Sequence, residues 1–597
     1  MSMRFVRSLA GSHRNALALA LAAGLGFTGI AHGQATTGSI FGTAPAAAGE
    51  TVLIQNANGL SREVPVDASG HYAAGNLPLG NYTASLRKDG ATIDSRSDIT
   101  LVVGAGTQVS FGAGGPAGTT TLSGLTVTAN SLPSIDVTQV DTRTVVTAEQ
   151  LARLPLQRTA EAIATLAPGV NAGSSYFTSP TGQVLNSFGG ASVAENAYYI
   201  NGFNTTDPLH GFGGLTLPYG AIDQEQVLTG GYSAAYGRSD GGVISQVGKR
   251  GTNEWHFGGQ VLWKPSFAAA DPVNAYYPSG AQFLAGPGGR QGQIYQYRNQ
   301  NKSSTATYDA YVGGPLIKDK LFVFAAVEGQ KQYDGRSVAS VNTQEQTNFS
   351  YSDPKWYAKV DWNINDSNIL ELTGASNKTE YQGNVYAYDY AARQRGAFKA
   401  PDTYTKDGAD LWVAKYTGYI TDNLTVEALY GKMVQTDYSA ASGSDAAYVY
   451  TPEYENPAYT GGAIIRGPQT VGPINNPDAR DKTSNLRLDV TYKIGDHTIT
   501  AGIDNMNVQS LDIGQEQSGP GYSWEYGQGD PNLPISTLAG AAVGAPGGDG
   551  YYVSKYIYTT GAPSVRVKQR AQYIEDQWQV SDNVLLSLGL RTDQFTN

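Results

Sequence analysis

The feature that most constrains the fold is a two-residue alternation of apolar and polar side chains, which recurs from Trp255 onward. It appears first in residues 255–263, where the apolar face is Trp255, Phe257, Gly259, Val261 and Trp263, and the polar face is His256, Gly258 and Gln260. The same pattern separates Ala358, Val360, Trp362 and Ile364 from Tyr357, Lys359, Asp361 and Asn363, and Leu486, Leu488, Val490 and Tyr492 from Arg487, Asp489 and Thr491. Such alternation indicates β-strands with one apolar face, which a transmembrane barrel and a soluble sandwich both contain.

The connections between these strands separate the two folds. Tight turns are predicted at residues 316–319, 365–367, 421–423, 495–496 and 581–583, and long connections at residues 264–305, 331–354, 376–410, 436–482 and 510–568. Loops of that length are rare inside a compact soluble domain. Strict alternation of short turns with long loops is typical of a transmembrane β-barrel, with the short turns on the periplasmic side. We therefore predict a mainly β protein in which residues 255–597 form an antiparallel transmembrane β-barrel.

Composition excludes several classes of function. The chain has no cysteine, so it has no disulfide framework, thiol nucleophile or cysteine-ligated metal site. Its formal net charge is −11, which argues against nucleic acid as a partner because phosphate binding needs a clustered basic surface. The four histidines beyond residue 35 are scattered along the chain, at His71, His210, His256 and His497. Their spacing indicates no metal site, and we expect no cofactor.

The first 35 residues are predicted to be a secretory signal peptide. Arg4, Arg7 and Arg14 precede an apolar run of about 15 residues, shorter than the roughly 20 that a membrane-spanning helix needs, and small residues follow it. The alternative is a membrane anchor. We expect the mature chain to leave the cytoplasm.

Residues 36–111 are predicted to form a small β-sandwich. Strands are expected at Thr51–Gln55, Glu63–Val66, Tyr82–Arg87 and Ile99–Val103, separated by turns rich in glycine and proline. This region resembles the carboxypeptidase-regulatory-like domain, which has a carbohydrate-binding-like fold, through Asp67, Gly70, Tyr72, Leu77, Pro78, Gly80 and Tyr82. The fold alone does not separate sugar binding from a spacer or interaction role.

A linker is predicted at residues 112–130, rich in glycine, alanine and threonine. Near its end lies an uncharged, β-prone pentapeptide, Leu125, Thr126, Val127, Thr128 and Ala129. Such a segment is suited to add as a strand to the sheet edge of a partner. A strand and helix pattern follows at Val145–Leu151, and a short helix is predicted over Ala160–Pro168.

The next motifs carry a specific resemblance. They are Tyr198–Asn204 with Asp207-Pro208, then Gln226–Arg238, Gly241–Ile244 and Gly251–Glu254. In this order they resemble the plug of TonB-dependent outer-membrane receptors, in particular the Oar-like subclass, which also carries an N-terminal regulatory-like domain. The resemblance implies a mixed α/β plug over residues 131–254, with the motif residues Asn201, Gly202, Asp207, Gly230, Gly231, Tyr236, Gly237 and Arg238.

The resemblance also implies partners and a location. Leu125–Ala129 would be the TonB box, the segment offered to the periplasmic energy transducer TonB, with residues 136–140 as a rival. The barrel would lie in the lipid of a Gram-negative outer membrane, with the N-terminal domain and plug facing the periplasm. We count about eleven strands, half of the roughly 22 in such receptors, and therefore expect a C-terminally truncated chain.

The implied function is uptake of an unidentified extracellular ligand, driven through TonB by the inner-membrane proton gradient. Two alternatives stay open: an outer-membrane adhesion protein whose barrel displays loops, and a secreted carbohydrate-binding protein. An enzyme is not expected. The G-x-S-x-G pattern at residues 237–241 lies inside the plug motif, without the flanking strand and helix of a hydrolase nucleophile.

Overall fold

A computed structural model describes most of the chain outside residues 1–35. The described residues are 36–45, 49–111, 140–173, 184–237, 239–278, 290–402, 404–440, 448–463, 473–476, 478–513, 515–517, 522–530, 533, 535–536, 542–543, 548–557, 564–581 and 584–597. The predicted signal peptide and the predicted linker lie outside these ranges, as does the start of the predicted plug. Within the described ranges, no helix combines the length and the apolar character needed to cross a membrane.

The N-terminal β-domain, residues 36–111, folds into two sheets. Its strands are β1 (Thr37–Thr43), β2 (Glu50–Asn56), β3 (Ser61–Pro65), β4 (His71–Pro78), β5 (Asn81–Lys88), β6 (Ala91–Thr100) and β7 (Gly106–Gln108). One sheet has the order β4-β1-β7 and the other β3-β2-β5-β6. Alternate residues of β5, including Tyr82, Ala84 and Leu86, are buried in one apolar core with Ile40 and Val52. The predicted sandwich is confirmed.

Two details of that domain differ from the prediction. Strands β1, β4 and β7 were not predicted, and the strand predicted at Ile99–Val103 ends at Thr100. The backbone beyond Thr100 forms other bonds: Leu101 N–H donates to the Gly80 carbonyl, and Val103 N–H donates to the Gln224 side chain. The Val103 N–H therefore bonds to a plug residue, Gln224, instead of to a neighbouring strand of the domain.

The plug follows, with helices on one five-stranded sheet. Its elements are β8 (Thr142–Thr147), α1 (Ala148–Arg153), α2 (Ala160–Ala164), β9 (Val170–Ala172), β10 (Asn186–Phe188), β11 (Ala197–Ile200), β12 (Phe203–Asn204), β13 (Ile222–Gly230) and β14 (Val243–Gly248). The main sheet has the order β12-β11-β14-β13-β8, so β8 is an edge strand. Helix α1 begins at a capping box made by Thr147 and Gln150. Helix α2 ends at Ala164, four residues before the predicted end, and tighter turns continue to Ala167.

The rest of the described chain is dominated by one large antiparallel sheet with short strands between its members. The strands are β15 (His256–Lys264), β16 (Ala275–Tyr276), β17 (Ile294–Gln296), β18 (Lys302–Ile317), β19 (Leu321–Val338), β20 (Glu345–Asn365), β21 (Asn368–Asp389), β22 (Gln394–Pro401), β23 (Tyr404–Thr421), β24 (Leu424–Ala440), β25 (Tyr448–Tyr450), β26 (Pro473–Asn475), β27 (Arg480–Ile494), β28 (His497–Leu511), β29 (Gln515–Gln517), β30 (Tyr522–Gln528), β31 (Ile535–Ser536), β32 (Ala542–Val543), β33 (Tyr551–Ile557), β34 (Val565–Ser581) and β35 (Val584–Thr596); a four-residue helix, α3, spans Pro457–Thr460.

The wall of the barrel is a meander. Eleven strands pair in chain order, β15-β18-β19-β20-β21-β23-β24-β27-β28-β34-β35, with β22 added to β21. This matches the predicted count. The predicted tight turns fall where these strands meet, for example between β20 and β21 and between β27 and β28. The fold class is therefore the predicted one: a small sandwich, a mixed plug and an antiparallel barrel wall.

The two faces of the wall differ as the alternation predicts. On β27, Leu486, Leu488 and Val490 are exposed on the outer face, whereas Arg487 and Asp489 are buried on the inner face. An apolar outer face suits lipid, and the polar inner face suits the plug.

Two predicted loops are wrong, because strands occupy most of them. Residues 331–354 belong largely to β19 and β20, which stay paired up to Val338 and Gln346, and residues 376–410 belong largely to β21, β22 and β23. These extensions are rich in tyrosine, asparagine, glutamine and threonine. Since they project past the apolar band, they lack the apolar face by which the transmembrane strands were recognised.

Candidate functional site

The candidate site is the contact between the plug and the inner face of the barrel wall. Strand β20 shows how the wall is built: Tyr357, Lys359 and Asp361 are buried toward the plug, while Trp362 is 46% exposed on the outer face. Because alternate residues of a strand point to opposite faces, each wall strand presents one row of side chains to the plug. That row is largely polar on β20 but apolar on part of β23, where Leu411 and Val413 are buried in a cluster with plug residues. The site residues are these groups and the plug residues that bind them.

The turn between β11 and β12 makes the first contact. Asn201 and Gly202 both have positive φ angles, 47° and 82°, a conformation that asparagine and glycine tolerate best. The Asn201 side-chain amide donates to Tyr357 Oη at 3.1 Å and to Thr373 Oγ1 at 3.0 Å. Its carbonyl oxygen accepts from Gly248 N at 2.9 Å. The strained turn is thus held by both the wall and the plug.

The loop after β12 makes the second contact. Asp207 is buried, and its carboxylate accepts from Leu209 N at 2.7 Å and His210 N at 2.9 Å, and from the Gln435 side chain of the wall. His210 Nδ1 lies 3.2 Å from Asp207 Oδ2, and its Nε2 lies 3.9 Å from Asp437 Oδ2. The hydrogen bond to Asp207, with the nearby carboxylates, raises the pKa of His210 above its ordinary value, although partial burial opposes this. When it is protonated, His210 can pair with Asp207 of the plug loop and Asp437 of the wall.

The third contact involves the glycine-rich end of β13. Gly231 has a φ of 68°, and an added Cβ there would lie 3.2 Å from the Val140 carbonyl oxygen. Tyr236 packs edge-on against Tyr199, with ring centroids 5.6 Å apart. A Cβ at Gly237 would lie 2.5 Å from the Arg591 guanidinium of the wall, so the segment approaches β35 closely. Gly230 ends β13.

The wall holds this third segment through two charged residues. Glu575 accepts from Ala234 N at 2.8 Å and from Ser233 Oγ at 2.5 Å. Arg591 donates to the Ala235 carbonyl oxygen at 3.2 Å and pairs with Asp504 at 3.1 Å. The predicted plug motif is therefore distributed over three contacts with the wall and does not form one pocket. Arg238 of the motif and the predicted TonB box, Leu125–Ala129, lie outside the described residues.

Sequence reasoning missed a fourth contact, made by Arg158 in the connection between α1 and α2. Its guanidinium pairs with Asp309 at 2.7 Å and with Glu328 at 2.9 Å, and it stacks over the Tyr219 ring at 4.6 Å. Glu328 is buried, and Lys355 of the wall also binds it, at 3.2 Å. Strand parity predicts that Asp309 and Glu328 face inward, but no local pattern identifies Arg158 as their partner.

Comparison with known domain families decides the identity of this plug and wall. Residues 136–244 match the TonB-dependent Receptor Plug Domain, and residues 335–597 match the Outer membrane beta barrel domain. The chain therefore has the plug and the barrel domain of TonB-dependent receptors. It is an outer-membrane protein whose plug faces the periplasm.

The receptor is similar to two characterised transporters. It is 25% identical to the TonB-dependent transporter Oar of Myxococcus xanthus, over 96% of this chain and 58% of that protein. Its fold is similar to that of the outer membrane transporter YddB of Escherichia coli, with a TM-score of 0.50, 16% sequence identity, and coverage of 76% of this chain and 56% of that one. The receptor chain thus spans a little over half the length of each.

The receptor's plug also contains a buried acid. Glu225 on β13 is fully buried, and its carboxylate accepts one hydrogen bond, from the Gln246 side chain at 2.8 Å. Burial raises the pKa of Glu225 well above its usual value. Among the residues that the structure describes, no three histidine or acidic side chains are grouped as a metal site requires.

Proposed function

We propose that this receptor takes up an extracellular ligand across the outer membrane, with energy delivered by TonB to the segment Leu125–Ala129. The observation that carries this proposal is a plug attached to the inner wall by separate polar contacts, at Asn201, Asp207 and Arg158. Water can replace each of these bonds when the plug moves. Plug residues such as Phe203 and Leu217 also share a buried apolar cluster with wall residues such as Leu411, so an applied force has to supply the cost of exposing that cluster. The ligand stays unidentified.

The position of β8 at the edge of the plug sheet supports a path by which force from TonB would reach the plug. Strand β8 starts at Thr142, and twelve residues separate it from the end of the predicted TonB box at Ala129. In the main sheet, β8 pairs only with β13. That pairing runs from Thr142 with Gly230 to Thr147 with Gln224. A pull on the box therefore reaches β8 first, and β8 can transmit it to the sheet that closes the barrel.

A cavity at the end of the wall opposite the short turns supports entry of the ligand from the cell exterior. Extensions of β19 to β23 surround about 1170 Å³ there. Its lining contains several carboxamide side chains and the cations Arg336, Arg393 and Arg395. Because the short turns lie on the periplasmic side, this cavity opens toward the cell exterior. We propose it as the first contact for the ligand.

The test is binding of the purified periplasmic domain of TonB to the detergent-solubilised receptor. Strand addition depends on main-chain hydrogen bonds, so Val127→Pro, which removes a donor, should abolish binding. The matched variant Val137→Pro, in the rival segment, should bind normally. Loss of binding in Val137→Pro alone would move the box to residues 136–140. Normal binding in both variants would refute the coupling to TonB through either segment and favour an adhesion role.

A further inference from the structure

The N-terminal β-domain does not stand apart from the rest of the protein. Val247 of β14 in the plug, and Ile369 and Tyr419 of the wall, are buried in the same apolar cluster as the domain's own core residues Ile54 and Tyr82. Ile369 and Tyr419 lie next to short turns of the wall, so the domain sits at the periplasmic mouth of the barrel. It touches the two parts that have to separate during transport.

On the plug side, the domain binds β8, the first described plug strand after the predicted TonB box in the chain, and its neighbour β13. The Gln224 side chain of β13 accepts from Val103 N at 2.8 Å and donates to the Leu101 carbonyl oxygen at 2.9 Å. Arg143 of β8 donates to the Gly104 carbonyl oxygen. Both Gln224 interactions are buried, and the backbone of residues 101–104 thus acts as a docking edge for β8 and β13.

On the wall side, the domain binds two short-turn regions. Asn363 of β20 donates to the Asn58 carbonyl oxygen at 3.0 Å, and Tyr419 Oη donates to the Asn76 carbonyl oxygen at 2.6 Å. Arg62 donates to the Asp422 carbonyl oxygen at 3.2 Å, and its guanidinium lies 4.4 Å from the Tyr419 ring centroid. Burial lowers the pKa of Arg62 from its ordinary value. These bonds fix the domain to the wall at two hairpins, β20–β21 and β23–β24.

The domain also closes a cavity between the plug and the wall. This cavity has a volume of about 510 Å³ and is lined by Asn81 of the domain, Asp223 and Lys249 of the plug, and Tyr311 and Phe324 of the wall. It lies where a gap would begin if the plug moved away from β18 and β19. While the domain is docked, its loops cover that gap from the periplasmic side.

We propose that residues 36–111 are a latch, which in its docked position holds the plug against the wall and which has to leave the wall before the plug is displaced. This inference rests on the proposed function, since displacement of the plug is the step that the latch controls. A simple spacer would need contact with only one partner. The bonds of Gln224 and Arg143 on one side, and of Asn363 and Tyr419 on the other, instead bridge two parts of the receptor.

The experiment crosslinks the N-terminal domain to the wall and measures displacement of the plug by thiol labelling. The chain has no cysteine, so introduced thiols are the only ones present. Thr373→Cys is the reporter, because Thr373 is buried against Asn201 until the plug moves. Asn58→Cys with Asn363→Cys joins the latch to the wall when treated with a short bis-methanethiosulfonate in de-energised cells. Ser85→Cys with Ser95→Cys, whose hydroxyl oxygens lie 3.0 Å apart within the latch, is the matched control.

After the crosslinker is washed out, the cells are re-energised and treated with a maleimide dye, and labelling at residue 373 is read by peptide mass spectrometry with and without TonB. We expect TonB-dependent labelling in the control pair and about tenfold less in the locked pair, because local opening is then prevented. Without the crosslinker, the Asn58 and Asn363 pair should be labelled at least as much as the control pair, because Asn363→Cys removes one latch bond.

The two proposals fail differently. Equal labelling of the control and locked pairs, with the crosslink formed, would overturn the latch and leave the proposed function intact. Absence of TonB-dependent labelling in the control pair would instead overturn the proposed displacement of the plug. If residues 58 and 363 do not crosslink at all, the domain is not docked on the wall, and the latch is also overturned. A second variant, Gln224→Leu, should increase labelling in cells that lack TonB.

Discussion

Replacing Arg158 with methionine tests whether separate polar contacts hold the plug inside the wall. The methionine keeps most of the aliphatic volume of the side chain but removes the guanidinium. The variant therefore loses the ion pairs with Asp309, at 2.7 Å, and Glu328, at 2.9 Å, and the cation–π contact with Tyr219. The Arg158 and Asp309 side chains are 17% and 10% exposed and that of Glu328 is fully buried, so solvent screens these pairs only weakly.

The size of the effect follows from what remains around Glu328. Removing one partner of a buried ion pair costs about 3–5 kcal/mol when the other charge is left alone. Here Glu328 keeps Lys355 at 3.2 Å and the Tyr219 N–H at 2.9 Å. We therefore expect a loss below that range, about 2–3 kcal/mol, since each charge-assisted hydrogen bond contributes about 1.5–3 kcal/mol.

Hydrogen exchange of the plug strands measures this loss. A change of about 2–3 kcal/mol in the opening free energy corresponds to about 30- to 150-fold faster exchange. We expect that acceleration in peptides covering residues 197–204 and 222–230, in the purified receptor analysed by mass spectrometry. Peptides covering residues 486–492 of the wall should exchange at the unchanged rate.

Arg153→Met is the matched control, only five residues away. Arg153 pairs with Glu149 at 2.5 Å, but the two side chains are 75% and 76% exposed. Exposed pairs contribute about 0–1 kcal/mol, so plug exchange should stay within a few-fold of the unmodified receptor. Unchanged exchange in Arg158→Met, or equal acceleration in both variants, would refute the reasoning, because the buried pair would then not hold the plug.

Three further predictions follow from the same contacts. Glu225→Gln keeps the bond from Gln246 but removes a buried acid with a raised pKa, so it should slow plug exchange at pH 7 and have no effect below about pH 4.5. His210→Gln should accelerate plug exchange at pH 6 but not at pH 9, since a raised pKa stabilises the folded state below the unfolded value of 6.5 and that stability is lost as pH rises through the folded value. Leu488→Arg on the lipid face should destabilise the wall by about 2–4 kcal/mol in urea unfolding from lipid bilayers. Equal exchange of His210→Gln and the unmodified receptor at every pH, or a neutral Leu488→Arg, would contradict the assigned contacts.

The wall is the part of the fold that could be predicted from sequence, because its rules are local. Lipid requires an apolar residue at every second position, and tight turns need residues such as Gly495 and Asp496 between paired strands. These two rules place eleven strands and their turns. They fail beyond the membrane, where β19 and β20 continue with polar residues on both faces.

The contacts between the three parts could not be predicted, because they join residues far apart in the chain. Arg158 binds Glu328, 170 residues away, and Gln224 binds Val103, 121 residues away. Local composition at Arg158 or Gln224 is the same as in a solvated loop or an ordinary plug strand. By contrast, Asn201 was identified through the family motif, and the structure supplies the physical reason: a positive φ angle and two hydroxyl partners on the wall.

The chemistry of these contacts explains how one protein can be both closed and movable. The apolar cluster that the plug shares with the wall, which includes Phe203 and Leu411, costs roughly 25 cal/mol for each Å² exposed on release. Polar contacts behave differently, since each has a net value of about 0.5–1.5 kcal/mol against water, and more when charged and buried. Together with the apolar cluster they keep the plug closed at rest, and in the proposed mechanism a force applied at β8 breaks them one at a time. The proposed latch adds bonds of the same kind at Gln224 and Asn363, on the periplasmic side, where the proposed force would act. Its contribution is therefore largest at the start of displacement, when few of the plug's own contacts have been lost.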